Sequence, residues 1–184
     1  MAKKALVLLA QGFEEIEAAT PVDVLRRAGV EVVAAGIGGT TIKGAHGLIY
    51  SADAELSAAA GDTVDAVVIP GGMPGAKNIG ESAIAKKLTE AVVKSGRLAA
   101  AICAAPVFTL GSWGLLAGKK ATCYTGMEGM FPSEVIFSAE RVVTDGNIVT
   151  SRGPGTALEF SLTVAALLAG RETAEKVASD MIVK

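Results

Sequence analysis

Ala5-Leu-Val-Leu-Leu-Ala10, an amphipathic stretch from Glu14 to Ala28, and then Val30-Glu-Val-Val-Ala-Ala35 read as strand, helix, strand. The apolar runs are short and nearly continuous, as expected of parallel strands buried on both faces. The same rhythm returns in Val64-Asp-Ala-Val-Val-Ile69, a helical pattern from Ser82 to Lys94, and Leu98-Ala-Ala-Ala-Ile102. Repeated strand–helix–strand units imply right-handed crossovers, with helices on both sides of a mostly parallel sheet. The reading is an α/β fold, a flavodoxin-like three-layer sandwich, in a single domain spanning residues 1–184.

Two stretches break the rhythm. Thr40 to Tyr50 alternates around Gly44 and Gly47 and predicts a small hairpin. Arg141-Val-Val-Thr144 and Asn147-Ile-Val-Thr150 flank Asp145-Gly146, a favoured two-residue turn, and predict a second hairpin. Thr156 to Ala169 is a strongly apolar helix stopped by Gly170.

Composition excludes several classes. Of the 184 residues 51% are apolar, which argues against disorder, and the formal charge of −2 leaves no basic excess for phosphates. Nucleic acid is therefore not expected as a main partner. No apolar run approaches the roughly 20 residues of a membrane span. The stretch Met1-Ala-Lys-Lys-Ala5 is basic and then apolar, as in a signal peptide, but Gln11 to Glu17 cut the run short. Two cysteines and one histidine make neither a disulfide framework nor a Cys/His zinc cage. A cytoplasmic protein with no bound metal is expected.

In open parallel sheets, ligands bind beyond the carboxyl ends of the strands. Three strand ends thus matter: Gln11-Gly-Phe13, Pro70-Gly-Gly72 and Cys103-Ala-Ala-Pro106. Cys103 lies between a strand and a helix-like stretch, with small residues Ala101 and Ala105 two positions either side, the context of a nucleophile elbow. A helix N-terminus there favours thiolate. The competing reading is a buried structural thiol. The amides of Gly71, Gly72 and Ala104 are placed to form an oxyanion pocket.

Glu14, Glu15 and Glu17 crowd the first helical turn, where carboxylates suit the dipole. At 100° per residue, Glu15 falls on the polar arc of Asp23, Arg26 and Arg27. Glu17 falls on the apolar arc of Val24, Leu25 and Ala28, where desolvation raises its pKa and suits it to acid–base work. Glu14, nearer the helix start, is expected to reach solvent. His46 sits in the first hairpin and reads more readily as a surface or interface residue than as a catalytic one. Cys123 reads as a buried strand-end thiol, Arg152 as a guanidinium placed by a rigid Gly-Pro-Gly turn for an anion or a second subunit. Met127, Met130 and Phe131 read as core or pocket lining.

These stretches together resemble the ThiJ/PfpI superfamily, and within it the DJ-one deglycase subgroup. The resemblance runs through Ala5 to Ala10, Gly12 to Glu17, Pro21 to Gly29, Val68 to Gly72, Ala100 to Pro106 and Thr150 to Thr156, in order and over essentially the whole chain. It implies Cys103 as an oxidation-sensitive nucleophile, Glu17 as its hydrogen-bonded carboxylate, and Gly71, Gly72 and Ala104 as pocket lining. It implies a homodimer, with Arg27 and Arg152 near the pocket or dimer contact and Tyr124 where some members carry a pocket histidine. Protease-like branches place a histidine directly after the cysteine, where this chain has Ala104, so peptidase activity is disfavoured. The activity implied is a cofactor-independent glyoxalase or deglycase acting on methylglyoxal, glyoxal and their adducts, with thiolate Cys103 paired to neutral Glu17. The alternative is a redox sensor or redox-linked chaperone that oxidises Cys103.

Overall fold

A computed structural model describes residues 2–61 and 63–183; Met1, Asp62 and Lys184, and with Met1 the start of the basic N-terminal stretch, lie outside the described residues. The chain opens with strand β1 (Lys4–Leu9), helix α1 (Glu15–Arg27) and strand β2 (Glu31–Gly36). A hairpin of β3 (Thr41–Lys43) and β4 (Ile49–Ser51) follows, then β5 (Ala54–Glu55), the one-turn α2 (Leu56–Ala59) and β6 (Ala66–Ile69). Next come α3 (Gly75–Gly80), α4 (Ala83–Lys94), β7 (Leu98–Ile102) and the short strands β8 (Lys120–Ala121) and β9 (Ile136–Phe137). The hairpin β10 (Val142–Asp145) and β11 (Ile148–Ser151) leads to α5 (Ala157–Ala169) and α6 (Arg171–Asp180).

The main sheet runs β5-β2-β1-β6-β7-β11-β10, parallel except where β10 meets β11. The chain steps from β1 towards β2 but from β6 towards β7, in opposite directions across the sheet. Right-handed crossovers then put α1 and α4 on opposite faces, completing three layers. Contacts agree: α1 packs on α5 and α5 on α6, while α4 packs with α2 and α3. Every residue of β6 and β7 is buried, and β1 is buried from Ala5 onward, which explains the uninterrupted aliphatic runs.

Local chemistry sets the boundaries. Ser82 caps α4 by accepting the Ala85 amide at 3.3 Å, and Gly170 stops α5 at φ +93°. The second hairpin turns one residue later than expected: Asp145 pairs with Ile148, leaving Gly146 and Asn147 as the turn. Gly146 at φ +62° occupies the first turn position, where the favoured hairpin turns need glycine. Asp145 is thereby freed to accept the Lys120 amide at 2.8 Å, tying β10 to β8.

After β7 the chain turns at Cys103 with φ +66° and enters a π-helical segment, Val107–Gly111. The strand-and-turn context of an elbow is present and a helical stretch follows it, opening with the Phe108 amide donating to the Ala104 carbonyl at 3.1 Å and continuing as the π segment. No helix among the described residues is long and apolar enough to cross a membrane.

Candidate active site

The order of strands places a reversal at β1 and β6, and three loops meet there: the end of β1 into α1, Pro70-Gly71-Gly72 after β6, and Cys103 after β7. Glu17, in the first turn of α1 on the face that packs inward, is fully buried. Its Oε2 accepts the Gly71 amide at 2.8 Å. Its Oε1 is a buried oxygen with no hydrogen-bond partner of ordinary geometry. Burial pushes the Glu17 carboxyl up to about 7, against the lowering pull of the Gly71 amide and the neighbouring Cys103 thiol.

Gly71 separates these two side chains. A Cβ built on it would lie 2.6 Å from Cys103 Cβ and 2.7 Å from Glu17 Oε2. Gly72 has φ +83° and its added Cβ would strike the backbone of Gly12, Phe13 and Glu14, so the strand end must be Gly-Gly for two different reasons.

Cys103 is 9% exposed. Burial, then the negative charge of Glu17, push its thiol up to about 12, while the amides of Gly72 and Ala104 draw it down. Burial and their mutual proximity thus disfavour two negative charges here, and the pair holds on to a shared proton. The donors divide differently from expectation. Gly72 and Ala104 point their amides at the sulfur, whereas the Gly71 amide is committed to Glu17.

A cavity of about 660 Å³ opens in front of the thiol, lined on its apolar side by Ile16, Leu48, Met73 and Met127. Glu14, Glu15, His46, Tyr124 and Ala104 also line it. Glu14 and Glu15 are each only 8% exposed, so neither is solvated as the helical arc suggests. The β3–β4 hairpin covers them. Glu15 Oε1 accepts the amides of His46 at 2.8 Å and Leu48 at 3.4 Å, and its Oε2 meets His46 Nδ1 at 3.0 Å. Burial acts to raise the Glu15 pKa, but the His46 ring and the backbone donors hold it below the usual value. His46 is raised by that bond and then by the charge of Glu14. Glu14, Glu15 and His46 bring ligand atoms within 4.8 Å of one another, but Glu15 is already occupied by hairpin donors.

The other expected residues are dispersed. Tyr124 stands at the cavity edge, 46% exposed, its amide donating to the Cys103 carbonyl at 2.8 Å. Arg152 lies behind it, donating to Thr125 Oγ1 at 2.7 Å and to the Ala139 carbonyl at 3.2 Å. Arg27 lies away from the pocket of its own chain: it ends α1, ten residues beyond Glu17 and so about 15 Å along the helix, paired with Asp23 at 2.7 Å. Cys123 is fully buried and pushed up to about 11 by burial and then by Glu128. Met127 lines the cavity, while Met130 is exposed rather than core.

Comparison with known proteins accounts for the whole chain. The Drosophila melanogaster protein dj-1beta is 43% identical over 185 residues, covering 100% of this chain and 98% of that protein. Glutathione-independent glyoxalase DJR-1.2 of Caenorhabditis elegans is 37% identical over 171 residues, 92% of this chain and 91% of that protein. The structure of Toxoplasma gondii DJ-1 in oxidised form superposes with a TM-score of 0.95 at 40% identity, covering 98% of both chains. The profile of the DJ-1/PfpI family matches residues 3–167. On the fold, the strand-end geometry and these matches together, the chain belongs to the DJ-1/PfpI family.

Proposed function

We propose that this protein is a cofactor-independent glyoxalase that converts methylglyoxal and glyoxal, free or as adducts, to lactate and glycolate. The observation that carries this reading is a cysteine at φ +66°, facing a cavity, beside a buried carboxyl that exchanges its proton near neutrality. The C. elegans relative named as a glutathione-independent glyoxalase supports it.

Cys103 adds through sulfur to the aldehyde carbon as its proton passes to Glu17, giving a hemithioacetal. The amides of Gly72 and Ala104, no longer needed by the sulfur, are within the loop that can stabilise the new oxyanion. Glu17 returns that proton to the oxyanion, takes the one on the former aldehyde carbon and delivers it to the adjacent carbonyl carbon, while the hydroxyl proton passes from the first oxygen to the second. The aldehyde carbon is thereby oxidised to a thioester while its neighbour is reduced to an alcohol. Water hydrolyses the thioester, releasing the hydroxy acid and the free thiol. The net change is addition of one water, and no external oxidant or reductant is required.

A Cys-His peptidase finds no support: His46 Nδ1 is committed to Glu15, and no hydrogen bond joins His46 to Cys103 among the described residues. The redox-sensing alternative draws on the oxidised Toxoplasma structure. Turnover decides between them: lactate formed in large molar excess over protein, and lost in Cys103→Ser, supports the enzyme. One modification per chain without lactate supports the sensor. We further propose a cytoplasmic homodimer; sedimentation at micromolar concentration should show twice the 18.5 kDa chain mass, and a lone 18.5 kDa species would contradict the dimer.

A further inference from the structure

A second cavity lies across the sheet from α1, in the crease between α4 and the segment that leads from α2 into β6. It measures about 590 Å³, a size that takes a small ligand. Val64 and Arg97 precede β6 and β7, so the crease opens near the amino ends of the strands, whereas Cys103 stands at their carboxyl ends. It shares no lining residue with the cavity before the thiol.

Its walls divide by chemistry. Ala60, Val64, Ile84, Leu88 and Ala91 are apolar, and Ile84 is left 46% exposed. The charged residues that line it are Lys87 and Arg97, both cations. Neither joins an ion pair among the described residues. The carboxylates nearby in sequence are engaged elsewhere, Glu90 with Lys86 at 3.8 Å and Asp65 with Lys3 at 2.8 Å. Arg97 is held in place: its Nη1 donates to the Val64 carbonyl at 2.5 Å and its Nε to Ser95 Oγ at 2.6 Å. Its Nη2 has no hydrogen-bond partner among the described residues. Lys87 is exposed on α4, one turn after Ile84 and one before Ala91.

Apolar walls with unpaired cations call for a ligand of matching halves. A neutral hydrocarbon would use the walls alone, and a cation would be repelled. A carboxylate on an alkyl chain satisfies both, burying its chain while its head accepts charge-assisted hydrogen bonds. The Lys87 stem can line the chain and still present its ammonium to the head. From Ile84 to Ala91, α4 rises roughly 10 Å, the reach of an extended chain of about eight carbons.

We propose that this crease binds medium-chain fatty carboxylates, with the chain along α4 and the head group held by Arg97 and Lys87. The site is separate from the reaction at Cys103 and does not depend on it.

The test is methyl NMR of the whole chain, titrated with octanoate, octanol and octylammonium. Octanoate should shift the methyls of Ala60, Ile84 and Leu88 saturably and bind about tenfold more tightly than octanol, the scale of one hydrogen bond to a charged group. Octylammonium should bind more weakly than octanol. Arg97→Gln should weaken octanoate about tenfold. Lys87→Gln, at an exposed position, should weaken it about threefold, as for a surface ion pair, and keeps the test standing should Arg97→Gln melt early. Octanol binding and methylglyoxal turnover should be unchanged in Lys87→Gln. Asp62, in the loop before Val64, lies outside the described residues; Asp62→Asn should leave octanoate affinity unchanged or raise it, and a loss there would count against the site. Equal affinity for octanoate and octanol, an affinity unmoved by the Lys87 and Arg97 substitutions, or saturable shifts confined to the methyls of Leu48 and Met127 would overturn the proposal. Shifts produced by anionic vesicles but not by free octanoate would assign the crease to a membrane surface, and overturn it too.

Discussion

Gly71 donates its amide to Glu17 Oε2 at 2.8 Å and, by having no side chain, leaves room for Cys103 against the same carboxyl. One residue thus positions the acid and admits the thiol. Neither task tolerates a Cβ.

Gly71→Ala should therefore cost both stability and reactivity. The new methyl would lie 3.0 Å from the Ile102 carbonyl as well as against Cys103 and Glu17, and β7 is central in the sheet and cannot readily yield. Overpacking of this kind costs roughly 1–3 kcal/mol. Urea denaturation should show a lower midpoint with an unchanged slope; an unshifted midpoint would mean that the loop relaxes freely.

Glu17→Gln removes proton transfer while keeping an acceptor for Gly71. Methylglyoxal turnover should fall by about 100-fold or more, the usual scale of general acid–base catalysis. Alkylation of Cys103 by iodoacetamide should persist, because the negative charge that raises the thiol pKa has gone. Wild-type turnover in this variant would remove the proton shuttle from the mechanism.

The raised pKa of Glu17 also has a sign in stability. The folded carboxyl holds its proton up to about pH 7, whereas the ordinary value is 4.5. Its contribution is fully present below pH 4.5 and is lost as pH rises through 7, since the folded state binds more protons between those limits. Comparing wild type with Glu17→Gln by chemical denaturation from pH 4.5 to 8 should show wild type losing ground across that window. Turnover should move the opposite way, rising through about pH 7 as the base form of Glu17 appears.

Of the two thiols, Cys103 should oxidise first. It lines the cavity, while Cys123 is fully buried. Limited peroxide followed by peptide mass analysis should place sulfinate on Cys103, and prior oxidation of Cys123 would reassign the reactive site.

Much of this was legible in the chain because the signals were local. The strands announce themselves as short aliphatic runs, and Leu98 to Ile102 forms β7 over the expected residues. Glu17 was recognisable from its helical arc, since α1 buries the face that also carries Val24 and Leu25. Glu14 and Glu15 were misjudged because helical periodicity knows nothing of a hairpin arriving 31 residues later, with His46 donating to Glu15. The trace of that contact is Gly44, where a Cβ would collide with the Glu15 carboxyl. The π winding of the helical stretch after Cys103 left no local trace in the sequence, where a strand followed by proline predicts only that a helix begins.

Glu17, Gly71 and Cys103 belong to segments that the chain supplies far apart, with 85 positions between the acid and the thiol. They meet only because β1, β6 and β7 lie side by side. The pocket therefore has no existence at the level of a fragment or a partly ordered intermediate. During synthesis Cys103 follows all three of these strands, and until they dock it is an ordinary thiol open to whatever oxidant the nascent chain meets. The selectivity that burial confers on this sulfur is acquired late, as a property of the finished sheet.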